Sequence, residues 1–129
     1  MCLHNAGRSQ MSQALFARSA AGRHEARSAG TDPAQRVHPN VVTVMKEEGI
    51  DVGSHVPQRL TDDLGRWADI VITMGCGESC PVIPGKRYID WDLRDPRDLP
   101  LDEVRQIKDD IDGRVTELVK ELDRALLRG

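Results

Sequence analysis

The sequence predicts an α/β domain built on a parallel sheet. Three observations carry that expectation. Helix-patterned and strand-patterned segments alternate along 129 residues, a length that fits one domain spanning 1–129. Residues 69–74 read Asp-Ile-Val-Ile-Thr-Met, β-branched and unalternating, as expected for a parallel strand covered on both faces. The chain closes with Leu101, Val104, Ile107, Ile111, Val115, Leu118, Leu122 and Leu126 on one face of a long helix.

The elements follow in order. Met11, Ala14, Leu15 and Arg18 recur at helical spacing over residues 10–21, and Gly22 is a natural stop. Residues 25–30 read as a short strand running into the turn cluster Gly30-Thr31-Asp32-Pro33. Pro39 suits a helix start, and Val41, Val42 and Met45 share a face before Gly49. Residues 50–57 form an extended connection. Thr61-Asp62-Asp63 caps a short helix reaching Trp67. After the strand at 69–74, residues 75–85 form a loop rich in Gly, Cys and Pro. Residues 87–91 form a short strand and 92–98 a polar loop. Pro100, Asp102 and Glu103 suit the positive end of the final helix.

Composition narrows the function. Aromatics are 3% (Phe16, Trp67, Tyr88, Trp91), too few for the stacking platforms of single-stranded nucleic-acid modules, and the net charge is -3. No apolar run approaches a membrane span and no signal-peptide pattern opens the chain, so a cytoplasmic protein is expected. Three cysteines cannot all pair within one chain, and cytosolic thiols are normally reduced, so no structural disulfide framework is expected.

The chemistry starts at once. Cys2-Leu3-His4-Asn5-Ala6-Gly7-Arg8-Ser9 is Cys-x5-Arg-Ser, placed directly before a helix. A loop curling before a helix N-terminus aims backbone N–H groups at one point and adds the positive helix end. A tetrahedral oxyanion fits that cradle, and Arg8 can grip two of its oxygens. Such a field lowers a cysteine pKa from about 8.5 to roughly 3.5–7.5, making Cys2 the nucleophile. Residues 3–9 form the oxyanion cradle, with Ser9 a hydrogen-bond donor to the thiolate and Asn5 a brace for the loop.

This loop at a strand-to-helix turn resembles the low-molecular-weight protein tyrosine phosphatase superfamily. Ser28-Ala29-Gly30-Thr31 and Asp95-Pro96 stand where that family has them. Within it the chain most resembles the phosphatase-like arsenate reductases. The match lies in His4-Asn5-Ala6-Gly7-Arg8-Ser9-Gln10-Met11 and in Met74-Gly75-Cys76-Gly77-Glu78-Ser79-Cys80-Pro81, followed by Pro84-Gly85-Lys86-Arg87-Tyr88 and Trp91. The resemblance covers nearly the whole chain. It implies three layers, with a four-stranded parallel sheet flanked by helices. Met1 leaves almost no room for a strand before Cys2, so the first strand is expected to be truncated.

The resemblance further implies a thiol relay that reduces arsenate to arsenite. Cys2 is the nucleophile, Asp95 the general acid, and Cys76 and Cys80 the resolving thiols. Four positions apart, Cys76 and Cys80 would lie about 5–6 Å apart on a helical turn, close to disulfide reach. No tightly bound cofactor is implied. The external reductant is thioredoxin or a low-molecular-weight thiol such as mycothiol, and the other partner is arsenate or a phosphate-like oxyanion. Two alternatives stand beside it: a tyrosine phosphatase using Cys2, Arg8 and Asp95, and an inactive oxyanion-binding domain. No metal site is expected, because the histidines form no metal spacing with the cysteine pair and Gln13 lacks the charge for an ion site with Ser28. His24, His38 and His55 read as ordinary surface or packing residues.

Overall fold

The computed structural model describes residues 5–74 and 85–128, with side chains through 125. Helices α1 (Arg8–Ala20), α2 (Pro39–Glu47) and α3 (Asp62–Trp67) precede strands β1 (Ile70–Thr73) and β2 (Arg87–Asp90), and α4 (Leu101–Arg128) closes the chain. Cys2, Leu3, His4, Cys76 and Cys80 lie outside the described residues.

Each boundary has a local cause. Ala21 closes α1 in the left-handed conformation with φ 49°, its N–H donating to Ala17 O, and Gly22 continues at φ 87°. Pro39 opens α2 at a position where its missing N–H costs nothing. Thr61 caps α3 by accepting the Leu64 N–H at 3.1 Å, with Asp62 and Asp63 in the first turn.

Strands β1 and β2 are parallel, in the register Ile70↔Arg87 to Thr73↔Asp90, and Trp91 N extends the pairing to Thr73 O. The α/β class with a parallel sheet is therefore as expected, although the ladder among the described residues holds two strands. The strand expected over 25–30 is a correction. Among the described residues this stretch forms no ladder, and Gly30 alone makes an isolated bridge, to Arg59. A strand persists through hydrogen bonds to a neighbour. Between residues 24–29 and β1 lies a groove of about 490 Å³, lined also by Phe16 of α1 and Val115, Leu118 and Leu122 of α4.

The core is aliphatic. Met11 and Leu15 of α1, Val41 and Met45 of α2, and Ile111 and Val115 of α4 are all buried in one cluster with Met74 and Trp91. Burying such side chains contributes about 1.5–3 kcal/mol each. Because α4 packs on both α1 and α2, it fixes the two helix N-termini that carry the site. No helix among the described residues is long and apolar enough to cross a membrane.

Candidate active site

The residues 5–9 turn tightly into α1. Asn5 adopts φ 50°, a left-handed conformation that Asn tolerates better than most residues. Its side chain is fully buried and works as a brace in three directions. Nδ2 donates to Ser9 Oγ at 2.8 Å, while Oδ1 accepts from Gln58 N at 3.0 Å and from Gln10 Nε2 at 3.1 Å. Gln10 Nε2 also donates to the Asn5 carbonyl at 3.1 Å. A carbonyl can only accept, so the Gln10 amide is oriented with Oε1 facing away. That oxygen meets His55 Nδ1 at 3.1 Å, which places the proton of this contact on His55 Nδ1.

Helix α1 starts without a side-chain cap at Gly7 and without an acidic residue in its first turn. Its positive end therefore meets the loop with no carboxylate in its own first turn to compensate it. Arg8 is buried, and its guanidinium is split between two tasks. One nitrogen, Nη1, donates to the Leu93 carbonyl at 3.0 Å, and Nη2 lies 3.9 Å from Asp95 Oδ2. Anchoring one edge leaves the other directed toward Asp95, whose carboxyl is half exposed. Asp95 is itself oriented: Oδ1 accepts the Arg97 N–H at 3.0 Å, leaving Oδ2 as the oxygen facing Arg8.

The acid loop and the oxyanion loop touch. Pro96 is buried against Gly7, where an added Cβ would come within 2.7 Å of Pro96 Cγ. His38 N donates to Ala6 O at 2.8 Å, so the start of α2 also holds the loop. Of the residues singled out in the sequence, Asn5, Ala6, Gly7, Arg8, Ser9 and Asp95 thus assemble at one place. Gln58 joins them, and Asn40 holds the Pro96 carbonyl, without either having been singled out; Gln10 was named only within the matching segment and His55 only as an ordinary histidine. His55 touches the loop only through Gln10. No fixed spacing links His55, Gln58 and Asn40 to the loop, so only a three-dimensional arrangement reveals them. Farther out, Ser28 Oγ donates to Gln13 Oε1 at 2.5 Å, and Gln58 Nε2 donates to Ser28 O at 2.7 Å. His24 pairs instead with Asp123 of α4 at 2.9 Å.

Known proteins resemble this chain over most of its length. The family model described as low molecular weight phosphotyrosine protein phosphatase matches residues 1–127. A Halobacterium salinarum protein, whose arsenate reductase name is itself provisional, is 40% identical over 95% of this chain and 90% of its own length. The glutaredoxin arsenate reductase of a Synechocystis strain is 29% identical over 95% of each chain. The solved thioredoxin-dependent arsenate reductase of Corynebacterium glutamicum superposes with a TM-score of 0.83 at 44% identity. That match covers 96% of this chain and 60% of the other, so this chain spans little more than half of that larger protein.

Proposed function

Because the chain belongs to the low-molecular-weight phosphotyrosine protein phosphatase family, we propose that it is an arsenate reductase working through a three-cysteine relay. One combination carries the reading. The anchored Arg8–Asp95 arrangement stands in the same chain as two further thiols, Cys76 and Cys80, between β1 and β2. An oxyanion cradle alone serves a phosphatase equally well. Phosphate and arsenate share shape and charge, but thiols reduce only arsenate, and two electrons are needed.

Arsenate enters the loop of residues 3–9 and is gripped by the edge of Arg8 that faces Asp95, opposite the one held by Leu93 O. The Cys2 thiolate attacks arsenic, an oxygen leaves as water with the proton of Asp95, and a Cys2–arsenic(V) bond forms. Ser9 Oγ accepts from Asn5 Nδ2, and in this reading its hydroxyl proton would stabilise the Cys2 thiolate. Cys76 thiolate then attacks the Cys2 sulfur. The sulfur–arsenic bond breaks with its electron pair remaining on arsenic, arsenite leaves, and a Cys2–Cys76 disulfide remains. Cys80 attacks Cys76 and frees Cys2 as thiolate, which moves the disulfide to 76–80. An external dithiol of the thioredoxin kind returns it to the starting state. The Corynebacterium relative supports thioredoxin by its name, and the Synechocystis relative names glutaredoxin instead. A mycothiol-type thiol is the third candidate.

Mass spectrometry of the reduced protein after one arsenate turnover tests this reading. The expected product has lost about 2 Da, with Cys76 joined to Cys80. Cys80→Ser is expected to stall at Cys2–Cys76, and Cys2→Ser to lose no mass. Full multiple-turnover arsenite production by Cys76→Ser would overturn the relay. Phosphatase turnover without arsenite would favour the phosphatase reading, and binding of arsenate without either product the inactive one.

A further inference from the structure

Asn40 occupies the second position of α2, and nothing in its sequence context marks it as part of a site. Its amide nitrogen donates to two carbonyls far away in the chain, Pro96 O at 2.7 Å and Leu99 O at 3.1 Å. Those are the first and last residues of the turn that follows Asp95, closed by Leu99 N donating to Pro96 O at 3.1 Å. Within that turn Asp98 sits at φ 61°, a left-handed conformation that costs free energy for a residue with a side chain. The Asn40 amide grips both ends of this strained turn and so opposes its relaxation. The other side of the Asn40 amide is occupied too: Oδ1 accepts the Val41 N–H at 2.9 Å.

The same short stretch of chain also holds the oxyanion loop. His38 N donates to Ala6 O, and the His38 ring and Pro96 crowd Gly7 from outside. Residues 38–40 thus tie the nucleophile's loop to the acid's turn. The link from Asn40 to Asp95 is short: Asn40 fixes Pro96, and the Arg97 N–H next to it holds Asp95 Oδ1.

We propose that Asn40 is the positioning residue for Asp95, holding the turn that carries the acid against the oxyanion loop so that Oδ2 faces the bound oxyanion. This inference rests on the reading of Asp95 as the general acid. Replacement by aspartate separates the two uses of the side chain. In Asn40→Asp the carboxylate still accepts the Val41 N–H and suits the N-terminal turn of α2. It cannot donate to the two carbonyls, and it repels them.

The test is single-turnover arsenite release by the fully reduced protein, which needs no external reductant. Asn40→Asp is expected to slow the saturating rate about tenfold, a fraction of the 10²–10⁴ that acid catalysis supplies. The half-saturating arsenate concentration should stay close to wild type, while the thermal midpoint falls with the two lost hydrogen bonds. Asn40→Ser, small and neutral, reports the same loss should the aspartate variant fold poorly. In an Asp95→Asn background, where no acid remains to be positioned, Asn40→Asp should cause no further slowing. A wild-type rate for both Asn40 variants overturns the proposal, and so does a full additional tenfold loss in the double variant. If Asp95→Asn itself keeps the wild-type rate, the general-acid reading falls and takes the Asn40 role with it. Impaired Asp95→Asn beside intact Asn40 variants removes the Asn40 role alone.

Discussion

Gly7 has no room for a side chain. The ring of Pro96 approaches it too closely. In Gly7→Ala the new methyl meets Pro96 Cγ at 2.7 Å and His38 at 3.3 Å. Both neighbours are rigid rings, so the acid loop must move. The expected cost is about 1–3 kcal/mol in denaturant unfolding, with slower arsenite release. Arg8→Lys tests a different property. A single ammonium cannot hold Leu93 O and grip two oxyanion oxygens together. Arsenate turnover measured as kcat/KM should fall about 100-fold, with weaker competition by inorganic phosphate. Arg8, Asn5 and Ser9 were legible because the loop is continuous in sequence and its chemistry is local. Gln58 and Asn40 were not, since they reach the site from 53 and 56 residues away through backbone contacts that any polar residue might make.

Among the elements, the joint between α1, α2 and α4 is electrostatic at its edge. Glu48 ends α2, where a negative charge opposes the helix dipole. Lys108 of α4, at 2.5 Å, and Arg18 of α1, at 3.3 Å, offset it. Their hydrogen bonds, Lys108 first, hold the Glu48 carboxyl below the usual carboxylate value of 4.5, and Arg105 does the same for Glu47. Carboxylates lowered on folding contribute stability above pH 4.5, and the contribution disappears as pH falls through their folded values. Thermal midpoints recorded from pH 7 to 3 should therefore drop at the acid end. Lys108→Met should flatten the drop by removing the first partner of Glu48. An unchanged acid slope in that variant would show the joint to be indifferent to this pair. The long helix itself was plain from its apolar face, as were the cap at Thr61 and the stop after Ala21. The 25–30 segment was misread because apolar patterning marks an extended chain and is silent on whether a hydrogen-bonded neighbour stands beside it.

At the scale of the molecule, α4 acts as the keel. Ile111 is fully buried in the cluster shared by α1, α2 and the Met74–Trp91 region. Ile111→Ala should cost about 2–5 kcal/mol in urea unfolding, because the surrounding helices cannot close the cavity fully. Leu101, 38% exposed at the start of the same helix, should lose less than about 0.5 kcal/mol on the same change. If the two variants lose equal stability, α4 does not organise the core. The aliphatic core also explains how a chain with four aromatic residues holds a buried arginine and a buried asparagine in fixed positions. Tight packing around α1 leaves Arg8 and Asn5 few alternative rotamers.

What the sequence by itself determined is what short-range physics encodes: the α/β class, the helices with their caps, and a loop whose residue types and spacing suit an oxyanion. These depend on neighbours within one or two turns of chain. The tertiary structure alone decided that Asp95 meets Arg8, that Pro96 packs against Gly7, and that Gln58 and, through Gln10, His55 reach the loop while Asn40 reaches the turn after Asp95. Their partners are brought close by the packing of α2 and α4, and hydrogen bonds to backbone carbonyls and amides leave no residue-type signature at either end.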